Sequence, residues 1–409
     1  MIQDICWAPL GSSKLQYLAV AAKKDVESRS HSAFPQIERG IIQIWEIDRS
    51  IQDSIAPVMF ISHEFGSINQ MKFCPLNSYT NLSEEKLKNQ FGDKTKNRMG
   101  LLAVAFTDGS FRIFSIPFPS EMPNIKDNIF IKLNPILSFK LAKNLSEDAL
   151  AICLDWSKNI KGNCLLLTGG SSGALACYNL NHIYETNNLD PIFHILQAGY
   201  PITSISFNPK DDNQFLFSNS HGNIFFYDLR FPEYPKDIYH PSNNLITSSI
   251  WLDHGIFLSQ NKSILRFSNK TTDGKFVVSS KFVSNQTIWQ ISPIKYFPFL
   301  ALSGYSGEAL VCYLDKPKKK QRVIIDQHFM IHSLKLEQHE NQDVICISKN
   351  IEKRSCFDEK FQLFGPEELS INCICFNSNR GGEGLIASGS SCGILRIQNL
   401  KNSINEFKN

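Results

Sequence analysis

Two stretches of this 409-residue chain carry the spacing of a serine nucleophile. Gly169-Gly170-Ser171-Ser172-Gly173 and Gly389-Ser390-Ser391-Cys392-Gly393 both match Gly-x-Ser-x-Gly. That motif makes an acyl-transfer serine only on a strand-to-helix turn of an α/β sheet. Both matches here lie between two strand-like apolar runs, so they read as hairpin turns. His328 and His332 stand four apart, a spacing that lets two imidazoles share a metal on a helix. Their surroundings, FMIHSLKL, alternate as a strand does, and no Glu follows His328. Asp155, Asp228 and Asp253 fall in or beside strand-like runs and read as partners of backbone or hydroxyl groups. The 11 cysteines are scattered without a C-x-x-C pair, which reads as free thiols, several of them buried, rather than a zinc site. No P-loop and no G-x-G-x-x-G is present. The chain reads as a non-enzyme that takes no cofactor and no metal.

Charge offers one candidate contact. Lys316, Lys318, Lys319, Lys320 and Arg322 crowd into KPKKKQR. Such a run suits phosphate, an acidic partner or nuclear import, against the plainer reading of a solvated loop. The whole chain has 42 basic and 39 acidic residues, a net of +3, which argues against DNA affinity driven by bulk charge. No apolar run approaches the roughly 20 residues of a spanning helix, and no secretory leader is visible, so no membrane partner is expected.

The elements that would hold these residues form a repeat. Residues 202–230, ITSISFNPKDDNQFLFSNSHGNIFFYDLR, read as strand, turn, strand, turn, strand. Related units occur at 4–47, 68–116, 151–180, 246–269, 288–314 and 371–400. The turn position is Gly40, Gly109, Gly173, Gly222, Lys262, Gly307 and Gly393. Glycine suits a two-residue hairpin turn because it accepts positive φ. Five residues later stand Trp45, Phe114, Tyr178, Tyr227, Phe267, Cys312 and Gln398, placed to pack against a neighbouring sheet. The first strands carry Trp7, Phe73, Trp156, Phe207, Trp251, Trp289 and Phe376, at spacings of 66, 83, 51, 44, 38 and 87 residues. The shorter spacings match a four-stranded blade of roughly 40–45 residues. The fold expected is therefore all-β: a seven-bladed WD40-type β-propeller, one domain over 1–409. Long loop insertions are expected at about 78–99, 117–148 and 315–370. The last blade lacks an obvious fourth strand, so its closure is expected from a three-stranded blade, a further N-terminal region or a partner. An unpaired edge there would be a docking site for an added strand.

The words around the repeat carry a closer resemblance. QYLAVA at 16–21 precedes GIIQIWEI at 40–47; INQMKFCPLNSY at 68–79 precedes MGLLAVAFTDGSFRIFSIPFP at 99–119; TIWQISPIKYFPFLALSGYSGEAL at 287–310 and INCICFNSNRGGEGLIASGSSCGILRI at 371–397 follow. In this order they resemble the WD40 propeller subunit of transcription factor IIIC, the general initiation factor for RNA polymerase III. The resemblance covers nearly the whole chain. It departs at the N-terminus, where family members carry an extension, and in the blade endings, where Trp45-Glu46 and Tyr227-Asp228 come nearest to Trp-Asp. It implies a nuclear, non-catalytic scaffold in the half of the complex that binds the B-box of transfer-RNA genes. The implied partners are the other subunits, including a second propeller and the large DNA-binding subunit, with promoter DNA bound by the complex. It identifies no DNA-contacting residue here. The alternative is a propeller scaffold of another intracellular assembly: chromatin, vesicle-coat or ubiquitin-ligase. The apolar IFIKL inside the second insertion is the place to look for a partner surface.

Overall fold

Apolar runs, some alternating with polar residues and some continuous, form strands over most of the described residues. The computed structural model describes residues 1–10, 14–23, 39–48, 54–75, 98–122, 129–141, 149–158, 164–196, 200–231, 237–239, 245–253, 255–260, 263–270, 276–282, 287–293, 299–313, 328–339, 342–348, 352–354 and 367–401. Its contacts divide into two compact units. One comprises Cys6–Leu245 with Asn379–Gly381; the other comprises Ile246–Ser378 and Gly382–Asn409 with Met1–Ile5.

The first unit is built from β1 (Ile2–Trp7, of which its last two residues belong here), β2 (Leu15–Ala22), β3 (Gly40–Asp48), β4 (Ser54–His63), β5 (Ile68–Phe73), β6 (Arg98–Phe106), β7 (Ser110–Pro117), β8 (Ile129–Lys132) and β9 (Leu137–Lys140). It continues with β10 (Ala151–Trp156), β11 (Leu165–Gly170), β12 (Ala174–Asn179), helix α1 (Leu180–Thr186), β13 (Phe193–Leu196), β14 (Ile202–Asn208), β15 (Asp211–Asn219), β16 (Ile224–Asp228) and β17 (Asp237–Tyr239). Its sheets run β1-β2-β3-β4-β8, β5-β6-β7-β9, β10-β11-β12-β13 and β14-β15-β16-β17. The second unit holds β18 (Ile246–Leu252), β19 (Gly255–Gln260), β20 (Ser263–Lys270), β21 (Phe276–Phe282), β22 (Ile288–Pro293), β23 (Phe299–Gly304), β24 (Glu308–Tyr313), β25 (His328–His339), β26 (Gln342–Ser348), β27 (Glu352–Arg354), β28 (Ile371–Phe376), β29 (Leu385–Ser390) and β30 (Leu395–Asn399). They form β18-β19-β20-β21, then β22-β23-β24-β25-β26 with β27 on β25, then β28-β29-β30. The expected insertions 117–148 and 315–370 thus carry strands: β8 and β9 in one, β25 to β27 in the other.

The turns correct the sequence reading in two respects. Gly109, Gly173, Gly222, Gly307 and Gly393 have φ between 73° and 87°, the left-handed region. Each is the last residue of a three-residue loop, not of a two-residue turn. The Gly109 amide donates to Phe106 O at 3.2 Å, and Gly222 and Gly393 repeat that bond. A type I turn followed by a left-handed glycine builds this loop. Gly40 is no turn residue. It opens β3 opposite His63, and a Cβ there would run into the His63 ring. The first copy joins its second and third strands through residues 23–39, so no tight turn exists for Gly40 to make.

The residues five places on pack between successive sheets of a unit in several copies. Phe114 lies in the core between the first two sheets and Tyr178 in the core between the second and third. Cys312 lies between the fifth and sixth. Tyr227 and Gln398 are half-buried against the third and sixth sheets respectively. Trp45 is also half-buried, on the face of its sheet turned away from Ile42, Ile44 and the second sheet; its Nε1 donates to Gln43. Of Phe267 the backbone alone is described, opposite Ile256.

All seven first strands share one frame: Ile2, Ile68, Ala151, Ile202, Ile246, Ile288 and Ile371 begin them. The sixth residue is aromatic in six. In β22 it is Pro293, so Trp289, matched to the others by residue type, is really the second residue of its strand. That second position is skipped in the pairing of six strands: Asn69, Ile152, Thr203, Thr247, Trp289 and Asn372. A bulge re-aims a side chain, and in three of these strands it points toward the next first strand, while Thr203 bonds Ser218 of its own sheet. Asn69 donates to Ala151 O at 2.6 Å, Thr247 to Ile288 O at 2.5 Å and Asn372 to Ile2 O at 2.9 Å. The third residue then accepts from the fourth amide of that next strand: Gln70 from Leu154, Ser248 from Ile291, Gln290 from Ile374. The fifth accepts from the sixth amide: Asp155 from Phe207, Ser292 from Phe376.

Candidate interaction surface

The residues read as chemically suggestive turn out to be structural. Both Gly-x-Ser-x-Gly matches are strand-to-strand hairpins, β11 to β12 and β29 to β30. Ser171 Oγ accepts the Leu150 amide at 2.7 Å, and Ser391 Oγ donates to Asn372 Oδ1 at 3.0 Å. Their leading glycines are packing positions: a Cβ on Gly169 would stand 2.8 Å from Ile202 Cγ2 and 3.0 Å from Cys153 Sγ. Gly389 meets Ile2 and Cys373 in the same way.

His328 and His332 both lie on β25, where four residues of extended chain span roughly 13 Å. His332 is buried; with Gln398 Oε1 at 3.0 Å its Nδ1–H donates, and Nε2 faces Ser388 Oγ at 3.2 Å. Burial, then the nearby Arg396 charge, pushes its pKa down to about 4. His63 is held at about 4 by burial and then by Arg112. Asp155 Oδ1 receives Lys72 Nζ at 2.9 Å while Oδ2 receives the Phe207 amide. Asp228 is clasped by Arg230 through Nε and Nη2, and Gln214 donates to it at 3.2 Å. Asp253 is exposed at the end of β18. Cys74 and Cys164 lie buried with their sulfurs 3.7 Å apart, and that contact with burial raises the Cys164 thiol well above its usual range. Among the described residues no group of three His, Cys, Asp or Glu is placed to hold a metal ion. No helix among them is long and apolar enough to cross a membrane. Lys316, Lys318, Lys319, Lys320 and Arg322 lie outside the described residues.

An exposed apolar surface stands on the first sheet. The segment IFIK is β8, which pairs parallel with β4: Met59 opposite Ile129, Phe60 opposite Phe130, Ser62 opposite Lys132. Alternation sends Ile129 into the core with Met59 and Ile61 and turns Phe130 outward. Phe130 is 70% exposed, and its ring stacks on Phe60 at 4.7 Å and 11°. Beside the stack lies a cavity of about 190 Å³ lined by Ile41, Phe60, Ser62, Phe130, Ile131 and Lys132. Lys132 and Arg39 both approach Glu64, at 3.5 and 3.9 Å, so two cations share one carboxylate at its rim. These pairs are solvent-exposed and contribute little to stability. An exposed stacked aromatic beside an apolar slot, rimmed by charge, makes this the candidate surface for another protein. IFIKL was visible as apolar; its pairing with β4 was not, because nothing in four residues names a parallel partner 70 positions earlier.

Comparison with known proteins agrees with the words of the repeat. No family model matches the chain. It is 24% identical over 412 residues to "Transcription factor tau subunit sfc6" of Schizosaccharomyces pombe, covering 98% of this chain and 63% of that protein. It is 22% identical over 350 residues to human "General transcription factor 3C polypeptide 2", covering 76% of this chain and 37% of that protein. The chain therefore spans less than two thirds of the length of these relatives. Among solved structures it is similar to Chaetomium thermophilum Raptor, with a TM-score of 0.59 at 11% identity, over 97% of this chain and 27% of that one. That likeness concerns the fold alone. The fold is a WD40-type β-propeller with seven sheets, and the resemblance to the propeller subunit of transcription factor IIIC is shown by relatives that are themselves subunits of that factor.

Proposed function

We propose that this chain is a non-catalytic scaffold subunit of a transcription factor IIIC assembly, supporting its assembly on the internal promoters of transfer-RNA genes in the nucleus. The observation that carries this reading is the similarity to the sfc6 subunit over 98% of the chain. The mechanism is rigid display. Laced first strands hold the sheets in register, and the outer strands present side chains to other subunits, among them a second propeller and the large DNA-binding subunit. Promoter DNA is engaged by the complex as a whole. Phe130, with its slot on the first sheet, is the anchor we assign to a partner subunit.

The test is affinity purification of the tagged chain from its native cells, with mass spectrometry of what accompanies it. The native chain is expected to bring down the other transcription factor IIIC subunits. Phe130→Asp is expected to cost about 2 kcal/mol at the interface it anchors and to deplete at least one subunit, while the thermal melt stays unchanged. Recovery of a different stable assembly would overturn the transcription-factor reading. Full recovery with Phe130→Asp would move the docking surface elsewhere.

A further inference from the structure

Among the described residues, six of the seven sheets carry a strand beyond the third, and the last carries none. Along one side β30 pairs with β29, from Leu395 opposite Gly389 to Asn399 opposite Leu385. Along its other side, among the described residues, nothing pairs. The Ser390 amide donates to Ile394 O at 3.1 Å. In an antiparallel ladder, residues that bond the partner alternate with residues whose backbone groups point away. Arg396 and Gln398 therefore bond β29, and the amides and carbonyls of Leu395, Ile397 and Asn399 point outward.

Burial tells the same story. Several third strands that have a fourth beside them are buried along most of their length, as Ala174–Tyr178 in β12 and Ala309–Cys312 in β24, although β3 is not. In β30, Leu395, Arg396, Ile397 and Gln398 are all half-exposed. Natural edges are usually blunted by lysine, proline or a bulge; β30 instead offers Leu395 and Ile397 on one face. Arg396 is on the other. Its Nη1 is buried without a hydrogen-bond partner among the described residues. Burial lowers its pKa, and no carboxylate among the described residues bonds it to offset the loss of water. The His332 ring beside it is neutral at physiological pH.

We propose that β30 is a docking edge for a strand from another chain, one that carries a carboxylate on the Arg396 face and apolar side chains beside Leu395 and Ile397. Backbone pairing supplies affinity in strand addition and the alternate side chains supply choice. The carboxylate gives Arg396 a charge-assisted partner, and the apolar face covers the two half-exposed aliphatic side chains. The proposal does not depend on which assembly the protein serves.

Amide hydrogen exchange on the full chain tests it, with two capped peptides of about eight residues, one alternating Val and Glu and the other Val and Lys. In the chain alone the Leu395, Ile397 and Asn399 amides should exchange freely. The Val/Glu peptide should slow them by about tenfold and the Val/Lys peptide by less than about twofold, a difference set by the charge at Arg396. In Arg396→Gln the two peptides should become equivalent; if that variant does not fold, the two-peptide comparison on the native chain still decides. Protection already present in the chain alone would overturn the proposal, because the edge would then be covered from within the same chain. Equal slowing by both peptides on the native chain would overturn the role of Arg396 and the acidic partner with it.

Discussion

His63 and His332 set a lower pH limit on this protein. Both rings are buried, and both are held at about 4 against a usual 6.5. The folded pKa lies below the unfolded one, so the stability gained by keeping each ring neutral is complete above about pH 6.5 and is lost as pH falls toward 4. A shift of this size corresponds to something on the order of 2–3 kcal/mol per ring at the acid end. The melting temperature should therefore drop steeply between pH 6.5 and 4.5, and His332→Gln, which keeps hydrogen bonds to Ser388 and Gln398 within reach, should flatten part of that drop. A melt as pH-dependent in His332→Gln as in the native chain would assign the titration elsewhere. Single residues also explain what the sequence made visible. Gly109, Gly173, Gly222, Gly307 and Gly393 stand out because left-handed backbone disfavours most residues with a Cβ. Gly40 joined them only by type, and its reason is His63, which no spacing announces.

Between elements, the unexpected finding is the lacing of first strands through their second, third and fifth residues. Asp155 is its most connected member, bonding Lys72 of the sheet before and the Phe207 amide of the sheet after. Asp155→Ala should leave both donors without that acceptor and cost about 2–3 kcal/mol in denaturant melts. Lys72→Ala should cost less, since the Phe207 amide keeps its acceptor and Lys72 is a third exposed. Equal losses would show that the ion pair, not the backbone amide, carries the effect. The strands themselves were legible from alternation, and so was their grouping into seven copies. The lacing was not. Asn69, Gln70, Ser248 and Gln290 look like ordinary polar residues until a bulge turns one of them and an adjacent sheet supplies the other half of each bond. Trp289 was misplaced for a related reason: its residue type fits the first-strand aromatics, but its position is the bulge.

Over the whole chain, 42 basic residues against 39 acidic ones leave little field to draw in nucleic acid. The isolated protein should show no saturable binding to duplex DNA below about 10 μM at physiological salt, in keeping with nonspecific contacts alone. Fluorescence anisotropy from low to high salt checks this, and tight binding with a steep salt slope would point to direct promoter contact. Fold class was readable because seven repeats each bury too little alone; the proposed docking surface was not, because the exposure of Phe130 follows from the pairing of β8 with β4. One contact has a consequence in time. Asn372 bonds the Ile2 carbonyl across 370 residues, and Gly389 packs against Ile2 in the same unit. A ribosome adds about 5–20 residues per second, so Ile2 waits roughly 20–70 s for its neighbours to be made. Throughout that interval the side of β1 that meets Asn372 and Gly389 has no neighbour, although β2 is made soon after it, and exposed apolar surface of this kind favours aggregation of nascent chains.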